Sequence, residues 1–195
     1  MEKIDFREMK WIHQPKLYIC DEERLTVETE PYTDWRVSAT GGLGALISYP
    51  LADHFMFTVR TEFVYHMPFD QCGLILYNGD VQKAVICTEK KDDEYLRLCA
   101  NVFHQDGGDR SMRDVGAALA QIIYRVYYRA GSCRVQYSFT GERFTDLREF
   151  YVDPKTGITS VCLYACSPAN SYCDCTFFDF NIMNNDKMNE EANKK

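Results

Sequence analysis

Apolar and polar residues alternate with a period of two through most of this chain, a pattern that restricts it to sheet-forming architectures. Phe55, Phe57, Val59, Thr61 and Phe63 line one side of an extended run, and Met56, Thr58, Arg60 and Glu62 line the other. The alternation returns in Leu25 to Glu30, in Leu96, Leu98, Ala100 and Val102, and in Cys133, Val135, Tyr137 and Phe139 opposite Arg134, Gln136 and Ser138. Turn-forming clusters separate these runs: Tyr77-Asn78-Gly79-Asp80, Asp106-Gly107-Gly108-Asp109, Ala130-Gly131-Ser132, Thr140-Gly141-Glu142 and Asp153-Pro154-Lys155-Thr156-Gly157. Many short strands without strand–helix alternation predict an all-β sandwich or barrel. Val115 to Gln121 reads as a short turn or helix feeding a β-branched, aromatic strand over Ile122 to Arg129.

A chain of 195 residues is long enough to bury a substantial core. Nothing in its composition divides it, so residues 1–183 are expected to form one domain. Asn184 to Lys195, polar with almost nothing to bury, reads as a frayed tail. A net charge of −7, with Lys and Arg scattered among carboxylates, argues against nucleic acid and against a membrane surface as partners. The first residues contain no apolar stretch of the signal-peptide type, and the nine cysteines sit mostly inside apolar runs, as buried free thiols do. A reducing cytoplasm is the expected location.

Metal and cofactor signals are weak. Cys162, Cys166, Cys173 and Cys175 lack the paired spacing of a zinc site, and core packing is the better reading. Gly41-Gly42-Leu43-Gly44 lacks the Lys-Ser/Thr of a phosphate loop and reads as a flexible connection. No metal and no cofactor are expected.

One segment combines polar groups with a strand signal. Asp70-Gln71 runs directly into the apolar Cys72 to Tyr77, with Lys83 soon after, which predicts a buried strand whose first residues carry hydrogen-bonding groups. With Trp11 to Pro15, Tyr32 to Trp35, Thr145 to Arg148, Leu163 to Pro168 and Thr176 to Phe180, in that order, this segment resembles the regulation-of-enolase family, also called domain of unknown function 1349. The resemblance spans about Trp11 to Ile182. It implies a concanavalin A-like lectin/glucanase jelly-roll β-sandwich of two antiparallel sheets, and it implies little about activity. The chain departs from the family pattern over 35–42, where Trp35-Arg36-Val37-Ser38 stands in place of an aromatic-rich stretch, and at Val81, where a Trp is usual. An Asp-Trp-Ser segment is echoed only by Asp109-Arg110-Ser111.

Sugar binding on a sheet face needs aromatic surfaces beside planar polar groups. Trp35, Asp70, Gln71, Lys83, Glu89, His104 and Arg125 supply these types and are the candidate ligand residues. Their alternative roles are structural: Asp70 and Gln71 tie backbone groups, while Lys83 and Arg125 form ion pairs. No catalytic residues are assigned. Glycoside hydrolysis needs two suitably spaced carboxylates, and the alternating acidic string of laminarinase-like members of this fold is missing. Asp174 and Asp179, at odd spacing, fall on opposite faces of a regular strand. The leading expectation is a non-catalytic domain that binds a saccharide or sugar-derived metabolite in a sheet groove. The alternatives are a protein-interaction module regulating a metabolic enzyme, and a glycoside hydrolase.

Overall fold

Two antiparallel sheets face each other across one apolar layer. The computed structural model describes residues 1–36, 41–104 and 107–184. In chain order the strands are β1 (Glu2–Lys3), β2 (Lys10–His13), β3 (Leu17–Cys20), β4 (Arg24–Glu28), β5 (Thr33–Asp34), β6 (Gly42–Leu43), β7 (Ala45–Pro50), β8 (Phe55–Tyr65) and β9 (Gln71–Asn78). They continue with β10 (Val81–Lys90), β11 (Tyr95–His104), β12 (Gly107–Gly116), β13 (Gln121–Arg129), β14 (Ser132–Ser138), β15 (Thr145–Tyr151), β16 (Ser160–Cys166) and β17 (Cys173–Asn184). The larger sheet has the order β15-β14-β13-β8-β17-β4-β3, with β1 pairing β17; the other runs β12-β11-β10-β9-β16-β7-β2. Of the sandwich or barrel expected from the alternation it is the sandwich, and it is the two-sheet jelly roll that the family resemblance implies.

The alternation specifies the core. Phe55, Phe57, Val59 and Phe63 of β8, Tyr124, Val126 and Tyr128 of β13 and Phe177 of β17 meet Leu74 and Leu76 of β9, Ile86 of β10 and Leu98 of β11. Burying one such ring or branched side chain contributes about 1.5–3 kcal/mol. Several predicted turns take left-handed backbone: Gly79 has φ 53°, and Ala130 and Gly131 have φ 49° and 89° at the β13–β14 hairpin. Arg148, from the Thr145 to Arg148 segment, ties the two sheets by donating to Ser111 Oγ at 2.6 Å and to the Ala100 carbonyl at 3.3 Å.

Four expectations are corrected. Val115 and Gly116 extend the edge strand β12, so of the expected turn or helix only a turn at Ala117 and Ala118 remains, and it feeds β13. Gly107 to Asp109 belong to β12 rather than to a turn, while Asp106 lies outside the described residues. Gly42 and Leu43 are not a loose connection, because β6 pairs in parallel with β5. Asp174 and Asp179 share the outer face: a bulge between Phe178 and Asn181, with Asp179 at φ 51°, moves the inward row from Cys173, Cys175 and Phe177 to Phe180 and Ile182. Asn184 still pairs with Phe55 at the end of β17, and the rest of the expected tail, 185–195, lies outside the described residues.

Candidate functional site

The outer face of the β12-to-β2 sheet is apolar where a sandwich normally meets water. Leu46, Ile75, Val85, Cys87, Cys99, Cys162, Tyr164 and Cys166 form a second buried cluster there, with Trp35, Leu43, Tyr77 and Phe103 packed against it. Part of the cover comes from the chain around β5 and β6. Gly44 makes this possible, since a Cβ there would lie 2.5 Å from the Ala165 carbonyl oxygen.

Strand register arranges this face in rows. One row runs Asp114, Arg97, Glu89, Gln71, Cys166 across β12, β11, β10, β9 and β16. The next runs Met112, Cys99, Cys87, Gly73, Tyr164, Leu46, and a third places Arg110 opposite Asn101 and Asn101 opposite Val85. Gly73 leaves its place in the second row empty, and the Tyr164 phenol donates to Gln71 Oε1 at 2.9 Å. Gln71 in turn donates through Nε2 to the Phe69 carbonyl at 3.2 Å.

A cavity of about 410 Å³ opens over these rows. Gln71, Glu89 and Asn101 line it from the sheet, Trp35 and Phe103 supply aromatic surface, and Asp34, Arg36, Asp109 and Arg110 supply charge. Trp35 and Phe103 lie 5.9 Å apart, and the Arg36 guanidinium sits 4.9 Å from the Trp35 ring. The charges neutralise one another. Glu89 Oε1 accepts from Arg97 at 3.3 Å and Arg110 at 3.1 Å, Asp34 pairs with Arg36 at 3.1 Å, and Asp109 pairs with Arg148. Within this wall Asn101 Oδ1 is buried without a hydrogen-bond partner.

Of the seven candidate residues, Trp35, Gln71 and Glu89 share this cavity. Asp70 does not line it. Fully buried, its Oδ2 accepts from the backbone N–H of His66 at 2.9 Å and of Met67 at 2.8 Å and from Ser171 Oγ at 2.9 Å, so it fastens the β8–β9 loop. Lys83 and His104 border a second cavity of about 460 Å³ with Tyr151 and Asp153. Arg125 belongs to the opposite sheet, where its guanidinium stacks 3.4 Å from the Phe144 ring centroid. The expected convergence of Asp70, Lys83, His104 and Arg125 with Trp35 fails because sequence places a residue on a strand without saying which sheet face or which end it occupies. Asn101, Phe103, Arg110 and Asp34 were missed. The available signal was the odd-numbered row 97-99-101-103 of β11, which faces Glu89 once the β10–β11 hairpin register is known.

Among the described residues no group of three or more His, Cys, Asp or Glu side chains is placed to hold a metal ion. No helix among them is long and apolar enough to cross a membrane.

The model of a protein family of unknown function, DUF1349, matches residues 11–185. The chain belongs to the DUF1349 family. Among curated proteins no sequence matches. Among solved structures, this DUF1349 chain is similar to a functionally unknown protein from Saccharomyces cerevisiae at 20% identity, with 93% of this chain and 98% of that one covered and a TM-score of 0.78. It also resembles a PL7 alginate lyase from Zobellia galactanivorans (7% identity, 91% and 94% covered, TM-score 0.62). A lichenase, a β-1,3-1,4-glucanase from a mouse hindgut metagenome, follows at 14% identity, 85% and 81% covered and TM-score 0.56. At these identities the likeness concerns the lectin/glucanase fold alone.

Proposed function

We propose that the cavity bounded by Trp35, Gln71, Glu89, Asn101, Phe103 and Arg110 binds a neutral saccharide or a sugar-derived polyol, without catalysis. The observation that carries this reading is Asn101 Oδ1, a buried acceptor with no donor, in a wall that also holds two aromatic side chains. A ligand hydroxyl supplies the missing donor once the Asn101 amide turns its oxygen toward the cavity, and an unsatisfied buried acceptor costs roughly 1–3 kcal/mol, so satisfying it favours the complex. The internal pairing of Glu89, Asp34 and Asp109 leaves little uncompensated charge for an anionic ligand and suits hydroxyl groups that both donate and accept. That pairing also speaks for binding over hydrolysis, because Glu89 Oε1 is engaged by two guanidiniums.

Calorimetric titration with a panel of neutral mono- and oligosaccharides tests the reading, with Trp fluorescence as second readout. Trp35→Ala and Asn101→Ala are expected to weaken binding at least about tenfold, or about 1.4 kcal/mol, while Trp11→Phe leaves it unchanged. Absence of heat across the panel, or binding that survives both cavity variants, removes the proposal.

A second reading, a protein-interaction module, draws on the sandwich edge where β2 and β3 end their sheets. Ile12, Leu17 and Ile19 there are 55%, 59% and 61% exposed. A protein partner retained stoichiometrically without sugar, and lost on Leu17→Asp, would favour it.

A further inference from the structure

Cys87 and Cys99 stand directly opposite each other on β10 and β11, on the cavity face of the sheet. Residues opposed in this way have Cα atoms about 4.5–5.5 Å apart, inside the roughly 4.4–6.8 Å that a disulfide spans. Both side chains belong to the one buried cluster on that face. Arg110 Nη2 donates to Cys99 Sγ at 3.2 Å, and Cys87 forms part of the cavity wall. We propose that Cys87 and Cys99 are a peroxide-reactive dithiol that closes to a cross-strand disulfide, with Cys99 the attacking thiolate and Cys87 the resolving thiol.

The chemistry balances with a hydroperoxide as oxidant. The Cys99 thiolate attacks one peroxide oxygen; an S–O bond forms, the O–O bond breaks, and the departing alkoxide takes a proton from water to leave as the alcohol. Cys99 has lost two electrons to the peroxide and is a sulfenic acid. Cys87 sulfur then attacks Cys99 sulfur, the S–S bond forms, the S–O bond breaks, and the Cys87 proton departs with the hydroxyl as water. Two thiols and one hydroperoxide yield a disulfide, an alcohol and water.

The surroundings select this pair. Cys99 faces Cys87 on β10 and Met112 on β12, with Arg97 and Asn101 along its own strand and Arg110 donating to it; Glu89 accepts from Arg97 and Arg110, Tyr164 of β16 stands beyond Gly73 in the row of Cys87, and Asp34, Arg36 and Asp109 line the cavity that Cys87 borders. The opposed Cys87 thiol, aided by Arg110, brings Cys99 down from 9.0 to about 7 against the opposing effect of burial. The Cys99 thiol and burial push Cys87 up. Burial pushes Cys162 up to about 11 and raises Cys133 and Cys166 further, so these remain thiols at neutral pH. Cys99 itself is fully buried and only Cys87 borders the cavity, so a small oxidant reaches the Cys99 sulfur when Arg110, partly exposed at the cavity wall, swings off it.

The test treats the fully reduced chain with hydrogen peroxide, quenches in acid, alkylates the remaining thiols and digests with trypsin. Lys90, Lys91 and Arg97 lie between the two cysteines, so the disulfide appears as a linked pair of peptides. That pair is expected first, at a rate that falls as the pH drops below about 7, and Cys87→Ser is expected to leave a dimedone-reactive sulfenic acid on Cys99. Arg110→Gln is expected to slow the reaction at pH 7 at least about tenfold by returning Cys99 toward an ordinary thiol. Another cysteine pair joining first, no sulfenic acid in Cys87→Ser, or an unchanged rate in Arg110→Gln overturns the proposal.

Discussion

The phenol of Tyr164 on β16 donates to Gln71 Oε1 on β9 over 2.9 Å, from the position that faces Gly73 in the register. Both side chains are buried, so the bond fixes the Gln71 amide at the cavity wall and satisfies the Tyr164 hydroxyl. Tyr164→Phe leaves Gln71 Oε1 without this donor, and a loss of about 1–2 kcal/mol in unfolding free energy is expected. Urea denaturation measures it; a midpoint equal to that of the parent protein would show that the bond contributes nothing.

Gly73→Ala is expected to be more damaging. A Cβ at this position falls 2.1 Å from the Ile86 carbonyl oxygen and 2.7 Å from the Cys87 Cα, and backbone atoms cannot move aside as a side-chain tip does. The expected cost is about 3 kcal/mol, read from the same denaturation experiment. A variant as stable as the parent would mean that β9 and β10 separate at no cost.

Asp70→Ala removes three hydrogen bonds at once and strands the amides of His66 and Met67 and the Ser171 hydroxyl. The expected destabilisation is about 3 kcal/mol, or a fall in Tm of roughly 6–12 °C for a chain of this size. Hydrogen exchange adds a local check, because the His66 and Met67 amides should lose protection more than amides in the strand centres. Equal protection in both proteins would rule out the anchoring role.

Asp146 provides a pH-dependent test. Hydrogen bonds from Arg134, at 2.7 Å to each carboxylate oxygen, and from Gln136 hold its carboxyl at about 2, below the ordinary 3.8. Since the folded state favours the carboxylate, this contribution to stability is present above about 4 and disappears as the pH falls through about 2. Carboxyl NMR titration should place Asp146 near 2 in the parent and closer to 3.8 in Arg134→Gln. A midpoint unmoved by that substitution would show that the guanidinium is not the cause.

Much of the sandwich is legible along the chain. Phe55, Phe57, Val59 and Phe63 announce an inward row, and Asn78-Gly79 and Ala130-Gly131 announce hairpins, because strand period and turn geometry are local properties of sequence. Asp179 shows where local reasoning stops: one left-handed residue shifts the phase of β17 and brings Asp174 and Asp179 to one face. The cavity was harder to read. Gln71 and Glu89 were recognisable as polar residues in strand-like surroundings, yet their pairing with Arg97, Asn101 and Arg110 follows from the register of β9 through β12. Arg125 has the same composition-level credentials as Arg110 and stacks on Phe144 in the other sheet.

The sequence by itself determined that this chain folds into antiparallel strands as a sandwich or barrel, because every second side chain must find an apolar partner and short Gly- and Asp-containing turns return the chain; the two-layer choice came with the family resemblance. Only the tertiary structure decided that the outward row of one sheet would also be buried, and that Cys87 and Cys99 would meet beneath Arg110. The reason is physical: alternation dictates which side of a strand is apolar, whereas neighbours across strands depend on sheet order and on what covers the face, both set by contacts between residues far apart in the chain.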